Sequence, residues 1–230
     1  MAVNDTGGEL TIVHANKPTL ALAEVAQPIG HAAWSERMPH RSDAQLRHVF
    51  DPDDPKVAER LLAKMESKVG TFSGVIALLD GQPVGYAWAA DDVGNLSPFK
   101  QRVKTAAGLL KGQKPYAWTG HINVLPEHQG KYIGNALLTE VLAPFDDDQR
   151  PTAYVFDENG LTLDWFMARG FAPRPEKPVD PNGRPDGPDL YFGEGATHVQ
   201  QWRLEAPSTQ TVIGILQQRG LPQYTVRGTV

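Results

Sequence analysis

The stretch Val124-Leu125-Pro126-Glu127-His128-Gln129-Gly130-Lys131-Tyr132-Ile133-Gly134-Asn135-Ala136-Leu137-Leu138 constrains the fold more than any other part of the chain. Tyr116–Leu125 reads as a strand, a turn containing Pro126 and Gly130 follows, and a helix runs from about Ile133 to Ala143, where Pro144 ends it. A strand passing so directly into an apolar-faced helix requires a sheet with that helix laid back on it. Such a junction aims several backbone N–H groups at one spot, and the helix dipole adds partial positive charge there. It is a natural seat for a phosphate or pyrophosphate. The pattern is neither G-x-x-x-x-G-K-[ST] nor G-x-G-x-x-G, which argues against nucleotide hydrolysis and against dinucleotide binding. On spacing alone, glycines serving turn geometry only remain an equal reading.

The remaining elements agree with a mixed sheet. Asp54 and Pro55 begin an amphipathic helix over Pro55–Val69, with Val57, Leu61, Leu62 and Met65 on one face. Val75–Leu79 and Val84–Ala90 flank Asp80-Gly81-Gln82-Pro83, a hairpin signal. Thr152–Phe156 reads as a short strand, Gly160–Arg169 as a helix stopped by Gly170, and Val199–Leu204 as a closing strand. This predicts an α/β (α+β mixed sheet) single domain over residues 1–205. Two excursions interrupt it: the basic segment 96–114, and the proline-rich segment 172–195. Beyond it, 206–230 forms a C-terminal extension in which Ser208 caps a helix and the last residues alternate like an edge strand. That extension is expected to dock, either on the chain's own sheet or on a second copy in a homo-oligomer.

Composition narrows the function. Among 230 residues, 22 basic and 27 acidic side chains leave a net charge of −5, so no nucleic-acid partner is expected. The chain has no cysteine, which excludes disulfides, thiolate metal sites and a cysteine nucleophile. The five histidines other than His121 and His128 are scattered without ligand spacing, and no metal is expected. The first residues lack a signal-peptide pattern, and no apolar run is long enough for a bilayer, so a cytoplasmic protein without a membrane partner is expected.

At the strand–loop–helix junction the chain resembles the GNAT N-acetyltransferase family. That family's motif, Gln/Arg-x-x-Gly-x-Gly/Ala, follows a strand ending in Val-x-Pro-Glu and precedes Ala-Leu-Leu. Gln129, Ile133 and Gly134 match the motif, and Val124, Pro126, Glu127, Ala136, Leu137 and Leu138 match its flanks. A second family block is recognisable from Asn159 to Gly170-Phe171, and the Asp80-Gly81 hairpin resembles the family's second and third strands. The resemblance covers roughly residues 10–204. It implies a central, mostly antiparallel sheet with a V-shaped splay between two strands and flanking helices. It implies acetyl-CoA as cofactor, with the pantetheine arm along Ile122 and Val124 and a contact from Asn159. The pyrophosphate would lie on Gln129, Gly130, Lys131, Tyr132, Ile133, Gly134 and Asn135. An acceptor amine would attack the thioester directly.

Three positions depart from the family pattern. Tyr132 stands at the loop's first family glycine, Phe166 at the usual tyrosine acid, and Trp118 near a glutamate some members use as base. His121 is the replacement base, or a histidine packed on the strand face away from the cofactor. Asp91 and Asp92 either hold a cationic amine or form a structural pair. The leading expectation is an acetyl-CoA-dependent N-acetyltransferase; the alternative is a catalytically degenerate binding or structural protein of the same fold, a subunit of a larger assembly.

Overall fold

Asp80 and Gly81 both take left-handed backbone angles, φ 50° and 81°. That pair makes a two-residue turn whose twist matches the strands it joins. It connects β2 (Phe72–Leu79) to β3 (Gln82–Asp92). Gln82 and Pro83, expected in the turn, therefore belong to the strand. The computed structural model describes residues 7–37, 46–47, 50–68, 70–92, 116–157, 161–173 and 200–228.

Within them, β1 (Leu10–Ala15) precedes α1 (Leu20–Arg37) and α2 (Pro55–Glu66), and the hairpin follows. Next come β4 (Tyr116–Val124), a short 3-10 turn at Pro126–His128, α3 (Ile133–Leu142), β5 (Pro151–Asp157) and α4 (Leu161–Met167). The chain closes with β6 (Ala172–Pro173), β7 (Gln200–Glu205), α5 (Thr209–Arg219) and β8 (Thr225–Arg227). Asp54 caps α2 by accepting from the Lys56 N–H, as its sequence position implied, but the helix stops at Glu66 rather than Val69. Segment 96–114, Asn159 and residues 174–195 lie outside the described residues. No described helix is long and apolar enough to cross a membrane.

One open sheet of eight strands runs in the order β6-β7-β5-β4-β3-β2-β1-β8. Neighbours are antiparallel except β4 with β5 and β1 with β8. Alternation along each strand sorts side chains to two faces. Val75, Ala77 and Ala87 pack under α3 with Leu137, Leu138 and Val141. Ile76, Tyr86 and Trp88 point the other way, onto Leu22, Ile29, Phe50, Leu61 and Met65.

Two irregularities break the sheet's regularity. Trp88 pairs with His121 but Ala89 pairs with Thr119, so Gly120 is an extra residue, a β-bulge. An ideal Cβ at Gly120 would lie 2.5 Å from the Trp88 indole. Only glycine lets the bulged backbone lie against that ring. The second irregularity is the β4–β5 pairing, which ends after Ala117–Pro151, Trp118–Thr152 and Thr119–Ala153, although both strands continue. Past those pairs the strands part, giving the expected splay.

The C-terminal segment is joined to this sheet. Ser208 Oγ accepts from the Thr211 N–H and caps α5, whose Val212 and Leu216 are buried. β8 then pairs with β1 of the same chain. Tyr224 donates to Glu140 Oε1 at 2.7 Å, and Glu140 Oε2 also meets His14 Nε2 at 3.0 Å. Of the two dockings considered, the structure contains the intramolecular one.

The bulge yields the first test. Gly120→Ala forces a methyl group into Trp88 and should destabilise the protein by about 1–3 kcal/mol, the usual cost of overpacking a tight core. Urea denaturation checks it, and an unchanged midpoint would show that the bulge tolerates a side chain.

Candidate functional site

Leu125 donates its N–H to Val84 O at 2.9 Å, so it faces β3. Backbone direction alternates along a strand, so Val124 and Ile122 turn their N–H and C=O groups toward the side that β5 has left. Ile122 and Val124 form one wall of a cavity of about 320 Å³. The loop from Gln129 to Asn135 forms its end, and Leu161, Trp165, Phe166 and Arg169 of α4 and the turn after it form the opposite wall. The gap in the sheet and the start of α3 thus open into one space.

The loop has its own economy of hydrogen bonds. Gln129 gives its N–H to Pro126 O, and its side chain donates to Glu36 Oε2 at 2.8 Å and to Val124 O at 3.3 Å. The Asn135 N–H donates to Tyr132 O. Among the described residues, nothing accepts from the N–H groups of Gly130, Lys131, Tyr132, Ile133 or Gly134. These donors lie at the positive end of α3, the arrangement that attracts anions. Sequence reasoning began the open run at Gln129; the 3-10 turn moves it to Gly130. Tyr132 holds φ at 61°, a left-handed angle that costs a non-glycine residue about 1 kcal/mol. The tyrosine at the family's glycine position is thus strained, and it is 40% exposed.

Asn135 is buried, and its side chain is engaged away from open space. Its Oδ1 accepts from Arg169 Nε at 2.9 Å and Nη2 at 2.6 Å, and its Nδ2 donates to Gly220 O at 3.3 Å. Arg169 also donates to Trp165 O, and its guanidinium lies 3.7 Å over the Trp165 ring. Burial first, then the nearby Arg219, lowers the Arg169 pKa to about 10, which leaves it charged at neutral pH. Phe166 is buried with edge-on contacts to Trp165 and Phe171.

His121 does not line the cavity. The bulge sets it on the α1–α2 face, stacked on Trp88 and edge-on to Phe50. Its Nδ1 lies 3.3 Å from the Tyr86 hydroxyl and its Nε2 3.2 Å from Lys64 Nζ; Asn123 Nδ2 donates to the same hydroxyl. Lys64 is exposed as a residue, yet protein packed around it beside His121 partly desolvates its ammonium. That desolvation, followed by repulsion from Lys68, lowers its pKa to about 8. Asp91 is structural: it accepts from the Thr71 N–H and from Gln149 Nε2.

The sequence profile of the Acetyltransferase (GNAT) family matches residues 40–171. The chain belongs to the GNAT acetyltransferase family. Solved structures agree in fold. One is the PaiA N-acetyltransferase of Thermoplasma acidophilum, in complex with coenzyme A. It is 12% identical, aligns over 86% of this chain and 99% of its own, and gives a TM-score of 0.52. Another is an acetyltransferase of Thermus thermophilus, 16% identical over 86% of this chain and 97% of its own, at a TM-score of 0.51. No curated protein matches this chain.

Within this GNAT domain, sequence reading missed Arg169, Trp165 and Glu36 on the cavity wall and Lys64 beside His121. Trp165 and Arg169 are four residues apart, a spacing that puts two side chains together on a helical turn. That signal was present in the second family block. The Lys64–His121 contact joins a helix to a strand 57 residues away and left no local trace.

The Lys64 environment has a measurable sign. With a folded pKa near 8 against an ordinary 10.5, the unfolded chain binds more protons between those values, so stability rises with pH across that window. Lys64→Met should remove that part of the rise. Denaturation of both proteins at pH 7, 8, 9 and 10 checks it; parallel pH curves would show an ordinary lysine.

Proposed function

We propose that this GNAT protein transfers an acetyl group from acetyl-CoA to an amine. The observation that carries the proposal is that the outward-turned backbone of Ile122 and Val124 and the N–H groups of Gly130–Gly134, which meet no acceptor among the described residues, border one cavity. An extended amide-bearing arm fits the first as an added strand, and a pyrophosphate fits the second. Asn159, outside the described residues, is expected to contact the same arm. When bound, acetyl-CoA supplies an acyl group already activated as a thioester.

Transfer forms a C–N bond at the acyl carbon and breaks its C–S bond, releasing CoA as a thiolate and a proton from the amine. Phe166 has no proton to give that thiolate. A thiol pKa near 8.5 makes unaided departure tolerable. His121 is proposed as the proton acceptor for an amine that arrives from the α1–α2 face. Its position one residue from Ile122, which lines the cavity, supports that role. A degenerate binding protein is the second reading, favoured by Phe166 and Tyr132.

Calorimetry with acetyl-CoA and CoA is the direct test, with micromolar binding expected. Gly134→Asp puts a carboxylate beside the open N–H groups and presses a Cβ to 3.1 Å from Trp165. It should weaken CoA at least tenfold, about 1.4 kcal/mol. Absence of binding at about 1 mM, a free energy near −4 kcal/mol, would overturn the proposal.

Turnover separates the two readings. Phe166→Tyr should preserve or raise the rate by restoring a hydroxyl. His121→Gln should lower it by about 10²–10⁴-fold with CoA affinity unchanged. Binding without transfer to any amine would favour the degenerate reading, and an unaltered rate in His121→Gln would remove His121 from the chemistry.

A further inference from the structure

We propose that Arg169, oriented by Asn135, is the charged contact for the diphosphate of the bound coenzyme, so that the anion seat depends on a residue outside its own loop. The inference rests on the coenzyme reading above and deepens it. Arg169 is anchored wholly by neutral acceptors, Asn135 Oδ1 and Trp165 O, so its charge is held in place without being neutralised. Among the described residues, no carboxylate lies within ion-pair distance of it. Its influential charged neighbour is Arg219, of the same sign, and Tyr132 contributes a phenol. Glu36 borders the cavity too, but its carboxylate is tied to Gln129.

A cation in that setting is costly. It is partly desolvated, repelled by a second guanidinium, and fixed beside the positive end of α3. The fold nevertheless locks it there. Asn135 is only 1% exposed and is held by Gly220 O as well as by Arg169, and the Trp165 ring stands close to both Gly134 and the guanidinium. Of the five N–H donors of an arginine, three are engaged by acceptors among the described residues, leaving donors and the full charge for the cavity. An incoming dianionic group on the Gly130–Gly134 N–H groups supplies the missing counter-charge, and a guanidinium fork suits phosphate oxygens. This arrangement accounts for how a loop with tyrosine in place of a glycine can still seat phosphate: a side-chain cation compensates for a less open backbone.

The test titrates CoA and pantetheine, which lacks the phosphates, into wild type and variants at several salt concentrations. Arg169→Gln should weaken CoA by about 10- to 100-fold at low salt, the usual worth of a charged hydrogen bond. It should also flatten the salt dependence, leaving pantetheine binding unchanged. Arg169→Lys should keep the salt dependence and recover part of the affinity. Asn135→Asp, which gives Arg169 a resident counter-ion, should weaken CoA although the arginine remains. Thermal melts establish that each variant is folded, and Asn135→Asp and Arg169→Lys carry the test if Arg169→Gln is not. A folded Arg169→Gln with wild-type affinity and salt slope overturns this inference alone. Wild type that binds no CoA overturns the coenzyme reading and this inference with it.

Discussion

β4 and β5 hold together for three residue pairs and then part, and the rest of the site depends on that separation. A paired strand would spend the backbone groups of Ile122 and Val124 on a neighbour. Because β5 leaves, the backbone groups of Ile122 and Val124 turn toward a gap inside the protein rather than toward a neighbouring strand, and the Gln129 side chain reaches Val124 O across its edge. The bulge at Gly120 sits just where pairing ends. It shifts by one residue which side chains face which layer, so that Ile122 and Val124 border the cavity and His121 faces the α1–α2 side. α3 begins within ten residues of the end of β4, so its positive end is delivered to the mouth of the same gap.

The legible parts of the fold were those written in local chemistry. Asp54-Pro55 and Ser208 announce helix starts because their side chains or rings satisfy the first turn. Asp80-Gly81 announces a hairpin because both residues tolerate left-handed angles. The junction at Val124–Leu138 was legible because its apolar spacing changes from that of a strand to that of a helix. What was hidden depends on contacts between distant segments. A single glycine at 120 carries no sign that one residue has been added to the strand, so the face on which His121 lies could not be assigned. The pinning of Asn135 by Gly220, and the seating of β8 beside β1, likewise unite residues that no local window contains.

The departures from the family pattern share one character. Where an open backbone would serve, this chain has Tyr132 in a strained conformation; where a hydroxyl would serve, it has Phe166 in an aromatic cluster with Trp165 and Phe171. The wall of the cavity on the α4 side is thus aromatic and cationic. It exchanges small, polar contacts for rings packed edge to face and one guanidinium, a surface that is stiff because each member is packed against the next.

The pairing of β1 with β8 also bears on the order in which the protein can be completed. Thr11 and Thr225 touch across 214 positions of chain. At about 5–20 residues per second of synthesis, β1 waits on the order of ten to forty seconds before its second neighbour exists. During that interval the nascent sheet ends in a strand with one unsatisfied side, and Glu140 has His14 within reach but not Tyr224. Ribosome-bound chains that have not yet released β8 are therefore the population in which this sheet edge is most exposed to wrong partners, and β8 is the strand that covers it.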